Sequence, residues 1–152
     1  MFHRRRSLCL LEPNLECFSH EVCRGLILSV IIITGGRDGN AASSSAEVWK
    51  PDVFPSPWSL PELPEGRDHH TQTGLTACGG GRSDATLRSC VTLSENGWIK
   101  SNNLIQPRSV HCAWDTGSGI ILLGGVGSPN TTELLKEDGG SEELFHLKYP
   151  SR

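Results

Sequence analysis

Apolar positions along this chain cluster in short runs, without the three-and-four spacing of a long amphipathic helix. Three runs share one shape. Ile31-Ile32-Ile33-Thr34-Gly35-Gly36, Leu75-Thr76-Ala77-Cys78-Gly79-Gly80 and Ile120-Ile121-Leu122-Leu123-Gly124-Gly125 each end in a glycine pair. The pairs lie 44 and then 45 residues apart. A short apolar run bounded by glycine predicts a strand buried on both faces. Gly-Gly lets the backbone leave that strand through left-handed angles. Recurrence at one spacing predicts tandem β-units, each burying a face against the next.

More strands are predicted between these markers. In the first unit, residues 46–49 follow a polar loop at 37–45 and are ended by Lys50-Pro51-Asp52. Prolines between Trp58 and Pro64 restrict that segment to an edge or a connection. In the second unit a turn at 81–86 precedes strands at 89–93 and 98–101, which flank the Asn96-Gly97 turn pair. In the third, strands at 131–135 and 144–147 flank Asp138-Gly139. Arg67-x-x-His70 recurs as Arg108-x-x-His111, and Trp58 and Trp98 are 40 residues apart. Each unit therefore holds about four short strands, the size of one propeller blade. The repeat region is 26–152, with units at roughly 26–66, 67–107 and 108–152. Residues 1–25 carry neither the repeat nor a period and are expected to be an irregular leader of the kind that is often disordered.

Composition agrees with a strand-and-turn protein: 17 glycines, nine prolines and only 36% hydrophobic residues in 152. The net charge of −3 implies no general attraction to nucleic acid or anionic lipid. The longest apolar run, 26–33, is far short of the roughly 20 residues that cross a bilayer. Arg4-Arg5-Arg6 followed by Leu8-Cys9-Leu10-Leu11 sketches a signal peptide, but Glu12 and Pro13 stop its apolar part. The glycine-rich stretches at 79–81 and 124–127 lack the Lys-Ser/Thr of a phosphate loop. No cofactor is expected.

The glycine pairs, the downstream tryptophans and Arg-x-x-His, together with Ser45-Ala46-Glu47-Val48-Trp49-Lys50-Pro51 and Leu60-Pro61-x-Leu63-Pro64, resemble the Kelch repeat family. The likeness covers about four-fifths of the chain, residues 26–149. It implies an all-β fold: an incomplete Kelch-type β-propeller of about three four-stranded antiparallel blades. The first unit departs by lacking Arg-x-x-His ahead of its glycine strand, and the third by carrying Phe145 where the tryptophan is expected. Three blades do not close a ring, so open edges are expected to favour self-association.

The candidate chemistry is sparse. Cys78 and Cys90 lie equally far from Asp84, so a symmetric hairpin sets them opposite each other. The same slot in the first unit holds Thr34 and Ala46. A disulfide here would contribute about 3 kcal/mol and implies an oxidising compartment. The other reading is two buried thiols in a reduced protein. Cys112 is expected to be a small buried hydrophobe. Cys9, Cys17 and Cys23 lack zinc-ligand spacing. His69, His70, His111 and Cys112 raise a metal site, but His70 and His111 hold the same place in successive units. They are expected to sit apart, each capping a turn on local backbone. Arg67 and Arg108 are expected either to bond carbonyls of a neighbouring blade or to contact a ligand. Of the four tryptophans, those in phase with the repeat, Trp58 and Trp98, are expected between blades, with sugar stacking as the lesser reading. Asn130-Thr131-Thr132 is a glycosylation sequon.

The function expected is a non-enzymatic module that binds a protein partner through loops 37–45, 81–86 and 127–131, in a secreted or extracellular parent. Two alternatives come with the resemblance. One is a fragment of a galactose-oxidase-like copper enzyme, whose tyrosine chemistry is poorly served by the single Tyr149. The other is a piece of a cytoplasmic Kelch substrate adaptor for a ubiquitin ligase.

Overall fold

A computed structural model of the chain describes residues 7–10, 31–50 and 58–148. Every described element is a strand or a turn, and every strand pairing is antiparallel. In chain order the strands are β1 (Ser7–Leu10), β2 (Ile31–Thr34), β3 (Arg37–Asp38), β4 (Ala41–Ala42), β5 (Ala46–Trp49), β6 (Trp58–Ser59), β7 (Thr71–Thr73) and β8 (Thr76–Cys78). They continue with β9 (Gly81–Arg82), β10 (Ala85–Thr86), β11 (Cys90–Ser94), β12 (Gly97–Lys100), β13 (Cys112–Asp115), β14 (Gly119–Leu123), β15 (Thr131–Lys136) and β16 (Ser141–His146).

They build three four-stranded sheets. Sheet 1 runs β1-β2-β5-β6, sheet 2 runs β7-β8-β11-β12, and sheet 3 runs β13-β14-β15-β16. The glycine-pair strand is second in each, and the polar loops after the first two fold into two-stranded hairpins, β3–β4 and β9–β10. The leader expected to be irregular contributes β1, which pairs with β2 from Ser7 opposite Thr34 to Leu10 opposite Ile31. It was invisible in sequence because its partner lies beyond a long insertion and no glycine marks its end. The rest of the leader, the Lys50-Pro51-Asp52 stop beyond Lys50, and Tyr149 lie outside the described residues.

Because side chains alternate across a strand, each sheet has two distinct faces. On sheet 2 one face carries Ala77, Val91 and Trp98, covered by Leu63 from the preceding connection. The opposite face carries Cys78 and Cys90, which pack on Leu104 and on Ala113, Leu122 and Leu135 of sheet 3. We call these the leading and rear faces. Leading face meets rear face at both internal contacts.

One turn reading shifts by one residue. Register places Ser94 opposite Gly97, so Glu95 and Asn96 make the turn. Gly97 begins β12 at φ 101°, the left-handed residue that closes such a loop. The tryptophans shift as well. Trp98 lies opposite Leu93, whereas Trp58 lies opposite Val48, whose counterpart in sheet 2 is Thr92, opposite Ile99. One residue of slip sends a side chain to the other face. Trp98 is therefore packed between sheets, its Nε1–H donating to the Pro61 carbonyl at 2.8 Å. Trp58 is exposed, against expectation, and Trp49 and Trp114 are exposed as well.

Candidate functional site

The recurring markers converge where the sheets join. At Gly35 a Cβ would lie 2.3 Å from the Arg67 carbonyl oxygen and 2.9 Å from the His70 ring. At Gly79 it would lie 2.4 Å from the Arg108 carbonyl oxygen and 2.8 Å from the His111 ring. Both glycines also hold left-handed φ, 56° and 62°. The glycine pair is thus a seat for the next unit's Arg-x-x-His. The second glycine completes it: the N–H groups of Gly36 and Gly80 donate to the carbonyls of Arg67 and Arg108, each at 2.9 Å.

The arginines then reach forward. Arg67 Nη1 donates to the carbonyls of Gly79 and Ser89 at 3.1 and 3.0 Å, and Nη2 pairs with Glu65 at 3.0 Å. Arg108 Nη1 donates to the carbonyls of Gly124 and Thr131 at 2.9 and 3.3 Å, and Nη2 pairs with Glu133 at 3.2 Å. Each arginine links two sheets, by its backbone to one and by its guanidinium to the next. Both side chains are fully buried. Each guanidinium does bond carbonyls, but those of its own unit and not, as expected, of a neighbouring one; it is the arginine's backbone carbonyl that reaches the preceding sheet. Burial pulls the Arg67 guanidinium below its usual value, and the Glu65 carboxylate opposes that. Burial likewise pushes the Glu133 carboxyl up, against the pull of Arg108.

His70 and His111 bond across sheets and not to local backbone as expected. His70 Nε2 lies 2.9 Å from Thr34 Oγ1, and His111 Nε2 lies 2.8 Å from Thr71 Oγ1. The Thr34 hydroxyl donates to Gln72 Oε1, so His70 Nε2 carries the proton that Thr34 accepts. Burial is the main force holding both rings near pKa 3. For His70 the neighbouring Arg67, His111 and His69 add to it, and for His111 Arg108 does. The two histidines are neutral structural groups on different joints. Among the described residues no group of three or more His, Cys, Asp or Glu side chains could hold a metal ion.

Cys78 and Cys90 form the disulfide, directly opposite in the β8–β11 register with Cα atoms 4.2 Å apart. Cys112 is a free thiol and exposed, not buried, because its strand faces away from sheet 2 at that position. Asn130 is exposed in the turn before β15.

The three loops expected to bind lie at the glycine-pair end of the sheets, side by side. Strand β4 neighbours β9, and Gly127 lies against Thr86 and Pro107. Between them run the Arg-x-x-His connections, joined by the Val110 N–H donating to the His69 carbonyl at 2.9 Å. Their exposed residues His69 and Val110 hold φ of 51° and 53°, as Ser83 does at 53° in the β9–β10 hairpin. A β-branched residue in that region is strained. Nothing in sequence announced it, because the angle is imposed by the bonds that pin Arg108 and His111 on either side. Charge at this end is mixed: Arg37–Asp68 at 3.0 Å, His69–Asp68 at 3.4 Å and Arg82–Glu65 at 3.9 Å. No protein-family model matches the chain, and no curated protein matches it.

Proposed function

We propose that the chain is a Kelch-type propeller segment and a non-enzymatic protein-binding module that takes its partner at the glycine-pair end. The observation that carries this is the gathering of loops from three successive units on one end, above joints that are buried and bonded. Rigid joints under polar, strained loops suit recognition. Mixed charge suits a protein surface better than a polyanion. The disulfide favours a secreted or extracellular parent.

A displayed peptide library panned against the disulfide-bonded protein tests the reading. Selected peptides should lose binding to a chain carrying Arg37→Ala and Arg82→Ala, two exposed loop cations, and keep it on a chain altered at Trp114 in sheet 3. Peptides that bind all three chains alike, or none selected at all, would count against it.

A further inference from the structure

Equivalent positions of the first two sheets differ in chemistry on their rear faces. Register sets Thr76 opposite Thr92 and Cys78 opposite Cys90 in sheet 2, as it sets Ile32 opposite Val48 and Thr34 opposite Ala46 in sheet 1. Two threonines in sheet 2 thus stand where sheet 1 carries two aliphatic side chains. Thr73 lies opposite Thr76 and extends the row, so three hydroxyl-bearing residues cross β7, β8 and β11. Side chains two residues apart share a face, so this row lies below Cys78 and Cys90 on the face turned to sheet 3.

The facing row of sheet 3 is Asp115, Ile120 and Leu135, in register across β13, β14 and β15. A cleft of about 340 Å³ lies between the two rows, at the end of the joint away from the glycine pairs. That volume falls within the range of small-molecule sites, at its lower end. Its sheet 2 wall is hydroxylic. Thr76 Oγ1 and Thr92 Oγ1 are 2.9 Å apart, so one donates to the other and the second proton is left for a further acceptor. The Thr73 hydroxyl has no hydrogen-bond partner among the described residues. On the sheet 3 wall Ile120 and Leu135 are aliphatic, and Asp115 uses Oδ1 to accept the Gly117 N–H at 2.8 Å, which leaves Oδ2 as an acceptor. The charge at the rim is acidic: Glu137 joins Asp115 there, and the ammonium of Lys136 is paired with Glu142 at 2.5 Å.

We propose that this cleft is a binding site for a neutral polyol, a single pyranose ring. Such a ring carries hydroxyls around its edge and C–H groups on its faces. The threonine row and Asp115 Oδ2 meet the edge, and Ile120 and Leu135 meet a face. The acidic rim, with its one cation already paired, repels anionic sugars. A cation would engage Asp115 and Glu137 and leave the hydroxyl row unused. The site is at the opposite end of the sheets from the loops and does not rest on recognition there.

Ligand-detected magnetic resonance and calorimetry of the disulfide-bonded protein test the proposal, with glucose, galactose, mannose and N-acetylglucosamine as probes, glucuronate as the anion and putrescine as the cation. At least one neutral sugar should bind in the millimolar range and both charged probes should bind more weakly. Thr76→Ile with Thr92→Val copies the sheet 1 pair, fills the cleft and removes two hydroxyls. It should weaken the sugar by at least about tenfold while the β-sheet circular dichroism is kept. Asp115→Asn retains an acceptor for Gly117 and should weaken it severalfold, which decides the matter if the double variant fails to fold. Arg37→Ala with Arg82→Ala, in the loops, should leave sugar binding unchanged. No neutral sugar bound, putrescine or glucuronate bound as tightly, or sugar binding unmoved by the folded cleft variants would each overturn the proposal. So would loss of the sugar in the loop variant, which would place it at the other end.

Discussion

The two sheet-joining cassettes, Leu63…Arg67…His70 and Leu104…Arg108…His111, have the same spacing and the same backbone bonds but differ in their acid. Glu65 lies two residues before its arginine and stays a quarter exposed, so water shares its charge. Glu133 comes from β15 of the following sheet and is almost wholly buried, as is Arg108. One joint carries its counter-charge locally; the other draws it from across the fold. A repeat therefore conserves backbone geometry more strictly than the source of a charge, because a carbonyl sits where the fold puts it and a carboxylate can arrive from either side.

Breaking the second joint should show the larger effect. Arg108→Ala should destabilise by about 3–5 kcal/mol, since it leaves Glu133 buried without its partner. Arg67→Ala should do less, because Glu65 can turn to solvent. Urea unfolding of both, with Glu133→Gln added to the first, measures the contrast. Partial recovery in the double variant is expected, and equal losses in the two single variants would refute the distinction.

The disulfide sharpens the comparison, because it lies beneath Leu104 and only at the second joint. Cys78→Thr with Cys90→Ala copies the Thr34 and Ala46 slot of sheet 1. It should lower stability by about 3 kcal/mol for a cross-link of this span. Thermal unfolding of the pair-substituted chain beside the parent checks it.

The histidines give the smallest effect per step and act at both joints. Their folded pKa, about 3, lies below the ordinary 6.5. Between these values the unfolded chain binds the proton and the folded chain does not. Stability is therefore full above about pH 6.5 and falls as pH drops toward 3, by about 1.4 kcal/mol per pH unit for each ring. His111→Gln should flatten that slope by roughly half, and an unchanged slope in urea titrations from pH 7 to 4 would show that other groups carry it.

Local chemistry made much of this legible. Glycine pairs at a constant period marked the second strand of every sheet, since only glycine tolerates both the angle and the contact there. The Cys78–Cys90 pairing followed from the symmetry of one hairpin, because both partners lie within twelve residues. The sequence by itself determined the strand-and-glycine repeat and the positions able to carry it. Tertiary structure alone decided which residues those positions meet: Arg67 and Arg108 inside, Trp58 on the face opposite Trp98, Cys112 in solvent, and β1 recruited from the leader. Such outcomes depend on register and on neighbours 20 to 40 residues away, and a contact across sheets leaves no periodic trace in either strand that makes it.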